Sequence, residues 1–225
     1  MQGMLLVDKP AGWTSFDVVN YVRRIVATAE GKKHKSVKVG HTGTLDPFAT
    51  GLLVLLIGKE YTKRAREFSK LDKTYEVTMR LGQTSNTGDP EGEITPVSDK
   101  KPTLSEIKQA IAQFTGQITQ TPPAYSAIKV NGQRAYKLAR AGKEVIIEPR
   151  QVTISSLELV NYAYPEVKLT ADVSSGTYIR TLVEDLGKTL ATGAYTTVLR
   201  RTKISDFNIE AATTIENIVI NPKEP

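Results

Sequence analysis

One aspartate in a segment rich in glycine and threonine has the setting that most suggests chemistry. Asp46 lies within residues 40–51, which read Gly-His-Thr-Gly-Thr-Leu-Asp-Pro-Phe-Ala-Thr-Gly, and an apolar run follows at 52–57. Glycines allow a backbone to approach a ligand closely, and Pro47 biases the preceding aspartate toward extended geometry. The segment therefore favours a carboxylate held in a fixed direction in a loop, although an Asp-Pro pair also closes ordinary Asx-turns.

Several kinds of chemistry are excluded by the residue types of the chain. There is no cysteine, which excludes a cysteine nucleophile, thiolate metal ligands and disulfides. The two histidines, His34 and His41, are too few for a zinc site built on several imidazoles. No P-loop sequence is present. We therefore expect neither metal ligands nor a nucleotide cofactor.

The excess positive charge is concentrated in two blocks. The chain has 30 Lys and Arg against 24 Asp and Glu, a formal net charge of +6. Residues 1–70 and 126–150 carry all of the excess, and aromatic and flexible residues are interleaved with the basic ones of the second block. This mixture suits phosphate contacts and base stacking. The charge pattern thus favours a nucleic acid partner over its simpler explanation, two solvated faces.

Apolar patterns predict the elements that must hold the aspartate loop. The runs at 4–7 and 52–57 predict buried strands, and alternation over 74–81 and 167–173 predicts strands with one polar face. Residues 84–98, rich in Gly, Pro, Asp and Thr, predict one long connection. Helical spacing and capping residues predict helices that begin near Thr14, Thr103 and Gly176.

Together these elements predict an α/β (α+β) fold, in which helices flank a mixed, largely antiparallel sheet. We expect one domain over 1–225, with a basic insertion at about 120–150. The longest apolar stretch, 52–57, is far too short to span a membrane. The first residues lack a basic region followed by an apolar run. We therefore expect a cytoplasmic protein.

Several segments, in order, make the chain similar to a known family. Residues 40–51 resemble the signature Gly-His-x-Gly-x-Leu-Asp-Pro-x-Ala-x-Gly of the TruB family of tRNA pseudouridine synthases. Further matches, from Leu-Val-Asp-Lys-Pro near the start to Gly-Thr-Tyr-Ile-Arg, lie at 6–15, 73–77, 122–129, 174–182 and 199–201. The resemblance covers roughly residues 3–212 and implies the pseudouridine synthase fold, with the whole chain as the catalytic domain.

The resemblance implies that the chain isomerises uridine to pseudouridine in the T-arm loop of tRNA, at position 55, after base flipping and without a cofactor. Asp46 matches the family's nucleophile, Arg180 the arginine that pairs with it, and Tyr75 the tyrosine that stacks on the extruded uracil. By spacing alone, Arg180 is equally explained by a helix pair with Glu184, and Tyr75 by a place in the core. Attack on the ribose C1′ and on the base C6 both remain open.

Further residues match the family's substrate-binding positions. His41 matches the residue that fills the gap left by the flipped base, and Lys9 a lysine that either supports the loop or contacts substrate. The resemblance implies substrate-binding roles for Lys9, His41, Lys129, Arg134, Tyr178 and Leu199, with Lys129 and Arg134 in an RNA-gripping insertion.

The expected partner is therefore the T-arm stem-loop of tRNA, bound by a monomer. Bacterial family members usually continue into a small C-terminal RNA-binding module of the PUA type, which we do not expect within residues 1–225. Two other functions remain open. One is an RNA-binding or RNA-folding protein that does not catalyse, and the other is a synthase that acts on another RNA.

Overall fold

The computed structural model describes residues 1–130 and 132–219, which form two compact units. The first unit combines residues 1–73 with the residues from 200 onward, and the second comprises residues 74–199. The single domain over 1–225 stays a prediction, and residues 131 and 220–225 of that range lie outside the described residues.

Strands predominate over helices in the described residues. The strands are β1 (Gly3–Lys9), β2 (Val39–His41), β3 (Thr50–Ile57), β4 (Lys73–Leu81), β5 (Gln83–Ser85), β6 (Ile94–Pro96), β7 (Gly116–Gln120), β8 (Lys129–Val130), β9 (Gln133–Arg134), β10 (Arg150–Ala163), β11 (Glu166–Val173), β12 (Ala194–Ile204), β13 (Phe207–Asn208) and β14 (Thr213–Thr214). The α-helices are α1 (Ser15–Ala29), α2 (Lys59–Lys63), α3 (Ala65–Ser69), α4 (Leu104–Gln113), α5 (Ala135–Arg140) and α6 (Ile179–Thr189). Short 3₁₀ turns lie at His34–Ser36, Ile209–Ala211 and Ile215–Asn217.

The first unit is organised around β3. This strand pairs antiparallel with β1 along its whole length, from Ile57 opposite Gly3 to Gly51 opposite Lys9. Its other edge pairs antiparallel with β2 at one end and parallel with β12 at the other, where Arg201 lies opposite Gly51. The sheet is therefore mixed, as the sequence predicts.

Both faces of β3 are covered, because its residues 52–57 are at most 4% exposed. Leu53 and Leu55 pack with the apolar stripe of α1, and Leu52 and Val54 pack with Ile204 and the aromatic residues of α2, α3 and β13. The predicted buried strand at 52–57 is confirmed. The apolar run after the aspartate loop is thus the rigid centre of the unit.

Helix α1 begins where the sequence predicts. Thr14 is its N-cap: the Thr14 side chain accepts a hydrogen bond from the Asp17 backbone N–H (3.1 Å), and the Asp17 carboxylate accepts one from the Thr14 backbone N–H (2.9 Å). The Thr14 hydroxyl and the Thr14 backbone amide lower the pKa of Asp17, because both donate hydrogen bonds to its ionised form. A reciprocal capping box therefore fixes the entry to this helix.

The second unit is a sheet with strand order β12, β4, β11, β10, β7, in which β10 is antiparallel to both β11 and β7. Helix α6 buries a stripe that includes Leu182, Val183 and Leu186, and α4 packs against β10 and α6. Two small hairpins, β5 with β6 and β8 with β9, stand apart from this sheet. Together with the first unit, this confirms the predicted α/β class.

Three local predictions differ from the structure. The run at 4–7 forms part of β1, but only Val7 among its residues is buried, and Met4 is 38% exposed. The segment at 84–98 is not one long connection, because it contains strand residues of the β5–β6 hairpin. On β4 the alternation is confirmed for its buried face, but Thr78, on the predicted polar face, is also buried. The hydroxyl of Thr197 donates to the Thr78 carbonyl (3.1 Å), so the neighbouring strand covers this position. No helix within the described residues has the length and apolar character needed to cross a membrane.

Replacing Thr14 by alanine is expected to lower the free energy of unfolding by about 1 kcal/mol, because the alanine side chain provides no N-cap acceptor for the Asp17 amide. Part of the difference from wild type should disappear as the pH falls below 3.8, the ordinary pKa of Asp17, since protonation of the Asp17 carboxylate weakens the bond that it accepts from the Thr14 hydroxyl (2.6 Å), which the variant lacks. Urea unfolding of wild type and variant measures both effects. Thr28→Ala, at an exposed position of the same helix, is the control, and an equal loss of stability in both variants would contradict the capping role.

Candidate active site

The loop at 42–49, which joins β2 to β3, carries the candidate nucleophile. Asp46 is half-buried, and its two chain neighbours are held by other elements. Ser15, the first residue of α1, accepts a hydrogen bond from the Leu45 backbone N–H (2.8 Å), and its hydroxyl donates one to the Leu45 carbonyl (3.1 Å). Within the loop, the Ala49 amide donates to the Asp46 carbonyl (3.1 Å). The helix start thus fixes the backbone on one side of Asp46.

A buried ammonium group fixes the other side. Lys9, at the end of β1, is 0% exposed, and its Nζ donates to the carbonyls of Pro10 (2.8 Å), Trp13 (2.7 Å) and Pro47 (3.2 Å). The Gly12 amide also donates to the Pro47 carbonyl (2.9 Å). Three carbonyl oxygens around one ammonium group support a positioning role for Lys9, and direct substrate contact by Lys9 stays a prediction.

Two further cations lie at the base of the same loop. Arg201 of β12 is 1% exposed, and its guanidinium donates to the Leu52 carbonyl (2.7 Å) and the Gly43 carbonyl (3.0 Å). Lys73, 8% exposed, donates from Nζ to the carbonyls of Ser69 and Leu71. A Cβ on Gly43 would lie 3.5 Å from the Arg201 guanidinium and 3.7 Å from the Lys73 side chain. The loop therefore packs against the side chains of Arg201 and Lys73.

Burial and the nearby charge of Arg201 lower the pKa of Lys73 from 10.5 to about 8, and Asp72 opposes this shift only in part.

His41 lies at the end of β2, opposite Leu55 of β3, and is half-buried. The aspartate loop thus runs from β2 to β3, and the His41 imidazole, which is predicted to contact RNA, is carried by β2.

In the second unit, Arg180 lies at the start of α6 and is 3% exposed. Its guanidinium donates to the Thr87 carbonyl (2.6 Å), the Asp89 carboxylate (3.1 Å) and the Tyr125 carbonyl (2.8 Å). Asp89 is 3% exposed and also accepts from the Thr87 hydroxyl (2.6 Å) and the Glu91 amide (3.0 Å). This network gives Arg180 a fixed orientation.

The turn that holds Asp89 packs directly on α6. Gly88 has φ +73°, and a Cβ there would lie 2.4 Å from a carboxylate oxygen of Glu184. Glycine suits this position, because the backbone is left-handed and a Cβ would displace the Glu184 carboxylate. Burial raises the pKa of Glu184, since the low-polarity surroundings disfavour its charged form.

The predicted base-contacting residues are also carried by the second unit. Tyr75 on β4 and Leu199 on β12 are 7% and 6% exposed. Tyr178 is the N-cap of α6, and both its backbone N–H (2.7 Å) and its carbonyl (3.0 Å) bond to the side-chain amide of Gln120. The Arg150 guanidinium lies 5.1 Å from the centre of the Tyr178 ring. Tyr178 is thus anchored through its backbone while its ring stays partly exposed.

Lys129 and Arg134 face each other in register on the β8–β9 hairpin. Both side chains are exposed, and so are Lys137 and Arg140 on the following helix, α5. The predicted basic segment therefore presents its charge to solvent. These residues are exposed, whereas Lys9, Lys73, Arg180 and Arg201 are buried.

Four residues that hold the site were missed by the sequence analysis: Ser15, Asp89, Gln120 and Arg201. Ser15 and Arg201 lie in segments that match the family, 6–15 and 199–201, and this match was the available signal. Ser15, Asp89 and Gln120 form hydrogen bonds with residues 30 to 91 positions away, and local spacing does not indicate such pairs. Among the described residues, no three His, Asp or Glu side chains are grouped as metal ligands would be.

Known proteins match nearly the whole chain. The model of the TruB family pseudouridylate synthase N-terminal domain matches residues 31–179, and that of the tRNA pseudouridylate synthase B C-terminal domain matches residues 180–220. A curated tRNA pseudouridine synthase B from Burkholderia mallei (strain NCTC 10247) is 44% identical over 96% of this chain and 68% of its own length. One from Aquifex aeolicus (strain VF5) is 42% identical over 100% of this chain and 76% of its own.

Solved structures share the fold. A chain in the crystal structure of a Cbf5-Nop10-Gar1 complex superposes with a TM-score of 0.72 at 26% identity, covering 96% of this chain and 53% of that one. A chain in an H/ACA RNP bound to a substrate RNA containing 2′-deoxyuridine gives a TM-score of 0.69 at 24% identity. The present chain spans about half the length of each of these two.

The lowered pKa of Lys73 predicts a pH dependence of stability. Between about pH 8 and 10.5 the folded protein has released the Lys73 proton while the unfolded chain still holds it, so the free energy of unfolding should rise with pH. Lys73→Met should lack this rise. Urea unfolding at pH 7.5, 8.5 and 9.5 tests it, with Lys70→Met, at an exposed lysine, as control. Parallel wild-type and Lys73→Met curves would contradict the assignment.

Proposed function

Because the chain belongs to the TruB family of pseudouridylate synthases, we propose that it isomerises uridine to pseudouridine in the T-arm loop of tRNA, at position 55. The observation that carries the proposal is the loop around Asp46. Its backbone is fixed on both sides of the carboxylate by Ser15 and Lys9. A carboxylate held in this way suits attack on a substrate that must be brought to it.

In the proposed reaction the Asp46 carboxylate is the nucleophile, and it attacks either C1′ of the ribose or C6 of the uracil. The bond between N1 and C1′ breaks, the base turns, and C5 forms the new bond to C1′. C5 loses a proton and N1 gains one, and Asp46 is released as a carboxylate. The balance is that of an isomerisation, so no oxidant, reductant or other co-reactant is consumed.

The second unit supplies the proposed base-binding residues. Tyr75 stacks on the extruded uracil, and Tyr178 and Leu199 lie beside it. Arg180 orients Asp46 by pairing with its carboxylate, the role that the family resemblance implies. The rigidity of Arg180 supports this role, because its hydrogen bonds to Thr87, Asp89 and Tyr125 restrict the motion of the guanidinium.

A uridine inside a folded RNA loop has to leave its stack before its ribose carbon is accessible. His41 is proposed to take the vacated place, and the exposed hairpin with Lys129 and Arg134 to hold the RNA backbone. The protein is proposed to act in the cytoplasm, as a monomer. A non-catalytic RNA-binding protein does not require a carboxylate fixed in this manner, so we favour catalysis over that alternative.

Asp46→Asn is expected to abolish pseudouridine formation, because a neutral amide is not a competent nucleophile. Affinity for the T-arm stem-loop should stay within about a few-fold of wild type, since removing a negative charge does not weaken attraction to phosphate. The assay incubates each protein with unmodified T-arm stem-loop RNA and quantifies pseudouridine. Asp206→Asn, at an exposed aspartate, is the matched control and should remain active.

Two results would contradict parts of this proposal. Turnover by Asp46→Asn would remove Asp46 from its role. Binding of the stem-loop without product from the wild type would favour a non-catalytic RNA-binding function. Product formed on other RNAs in preference to the T-arm would instead identify a synthase with a different substrate.

The double variant Lys129→Gln/Arg134→Gln should bind the stem-loop more weakly and with a flatter salt dependence. The slope of log K against log salt should fall by up to about 0.9 for each duplex phosphate that is no longer neutralised, or about 0.7 for each single-strand phosphate. Fluorescence anisotropy at several salt concentrations measures it. Lys108→Gln/Lys168→Gln, at exposed lysines of the same unit, is the control, and an unchanged slope in the hairpin variant would show that the hairpin does not bind the RNA backbone.

A further inference from the structure

A second basic surface lies in the first unit, outside the loop that carries Asp46. A cleft of about 400 Å³ opens between the start of β2, the 3₁₀ turn before it and helix α1. The cationic residues at its wall are Arg23, Lys35 and Lys38, and His34 also lines it. No Asp or Glu is among the described residues that line this cleft. It therefore combines concave shape with one sign of charge, which attracts an anion.

One cationic side chain of the cleft, that of Arg23, is held in place by hydrogen bonds. The Arg23 guanidinium donates to the side chain of Asn20 (2.9 Å) and to the carbonyl of Val39 (3.1 Å). Arginine has five N–H donors, so three remain after these two bonds. A planar group fixed in this manner matches the oxygens of a phosphate.

The backbone that carries the two lysines is also anchored. Val37 and Val39, which flank Lys38, are each 7% exposed and belong to the core of the first unit. The Gly58 amide donates to the Lys38 carbonyl (2.7 Å), which ties this backbone to the end of β3. The lysine side chains are exposed, so they extend to solvent from a fixed frame.

The cleft lies directly beside a residue of the proposed RNA-binding site. Gly40 lines the cleft, and the next residue on β2 is His41. Successive residues of a strand are about 3.3 Å apart, so an anion in the cleft would be close to the backbone of the residue proposed to enter the RNA stack. The anion that a bound RNA would bring there is thus a phosphodiester next to the target nucleotide.

We infer that this cleft binds one phosphodiester of the RNA substrate through Arg23, Lys35 and Lys38. The inference rests on the proposed function, because it takes the bound RNA as its ligand source. It adds a backbone contact in the first unit to the one proposed for the β8–β9 hairpin. The two contacts are carried by different units and are separately testable.

The test combines protein and RNA variants. T-arm stem-loops are prepared with one phosphodiester at a time replaced by an uncharged methylphosphonate, and their affinities are measured for wild type and for Lys35→Gln/Lys38→Gln. Neutralising the linkage that occupies the cleft should weaken wild-type binding more than it weakens the binding of the double variant, since that variant keeps only Arg23 of the three cations that bind this linkage. The salt slope of the double variant should also fall, by up to about 0.9 for each phosphate no longer neutralised.

Lys70→Gln/Lys203→Gln removes the same charge from exposed lysines of the first unit that do not line the cleft. This control should keep the wild-type response to every methylphosphonate. Equal decreases in affinity for both double variants, or no linkage that distinguishes Lys35→Gln/Lys38→Gln from wild type, would overturn the inference. If the cleft binds only free phosphate and not RNA, no methylphosphonate linkage will distinguish the double variant from wild type. That result also contradicts the inference. Pseudouridine formation by wild type is scored separately, so failure of the cleft leaves the proposed activity standing.

Discussion

The burial of the Lys9 ammonium group is the interaction on which the candidate site depends. An ammonium group removed from water is costly unless its donors are satisfied, and here three carbonyl oxygens accept from it. Those carbonyls belong to the turn after β1 and to Pro47, the residue next to Asp46. The backbone next to Asp46 is therefore positioned by atoms that take no part in the proposed chemistry. The stability of the turn and the geometry of the loop depend on one another.

The same arrangement recurs in both units. Arg201 joins the loop of the first unit to β3 through the carbonyls of Gly43 and Leu52. Arg180 binds two irregular segments of the second unit through the carbonyls of Thr87 and Tyr125. Backbone carbonyls in irregular segments lack strand or helix partners. A long cationic side chain can donate hydrogen bonds to them. Some of the Lys and Arg side chains are therefore buried and stabilise the interior of the protein. The net charge alone overstates how much positive charge is available to an RNA partner.

Local sequence patterns predicted correctly the elements in which the apolar positions are also the positions that the fold buries. The run at 52–57, the helix start at Thr14 and the buried face of β4 were confirmed, because burial and spacing coincide there. Strands β10 and β12 were not predicted. Two register shifts interrupt the alternation of β10, and β12 buries Thr196 and Arg201, so neither has a clean apolar period. Local spacing could not predict the contact between Arg180 and Asp89. It suggested a helix pair with Glu184, whereas the Arg180 guanidinium donates to the Asp89 carboxylate, 91 positions away. Asp46 itself was predicted as a candidate because the segment rich in glycine and threonine around it and the apolar run after it are contiguous in the sequence.

The first unit is assembled from two segments of the chain with the whole second unit between them. Synthesis on the ribosome releases the N-terminal part first. The aspartate loop, its helix and β3 therefore leave the ribosome long before β12 supplies Arg201 and the parallel partner of Thr50 and Gly51. A nascent chain thus holds its proposed nucleophile in a loop that still lacks one of its supports, which β12 supplies only late in synthesis.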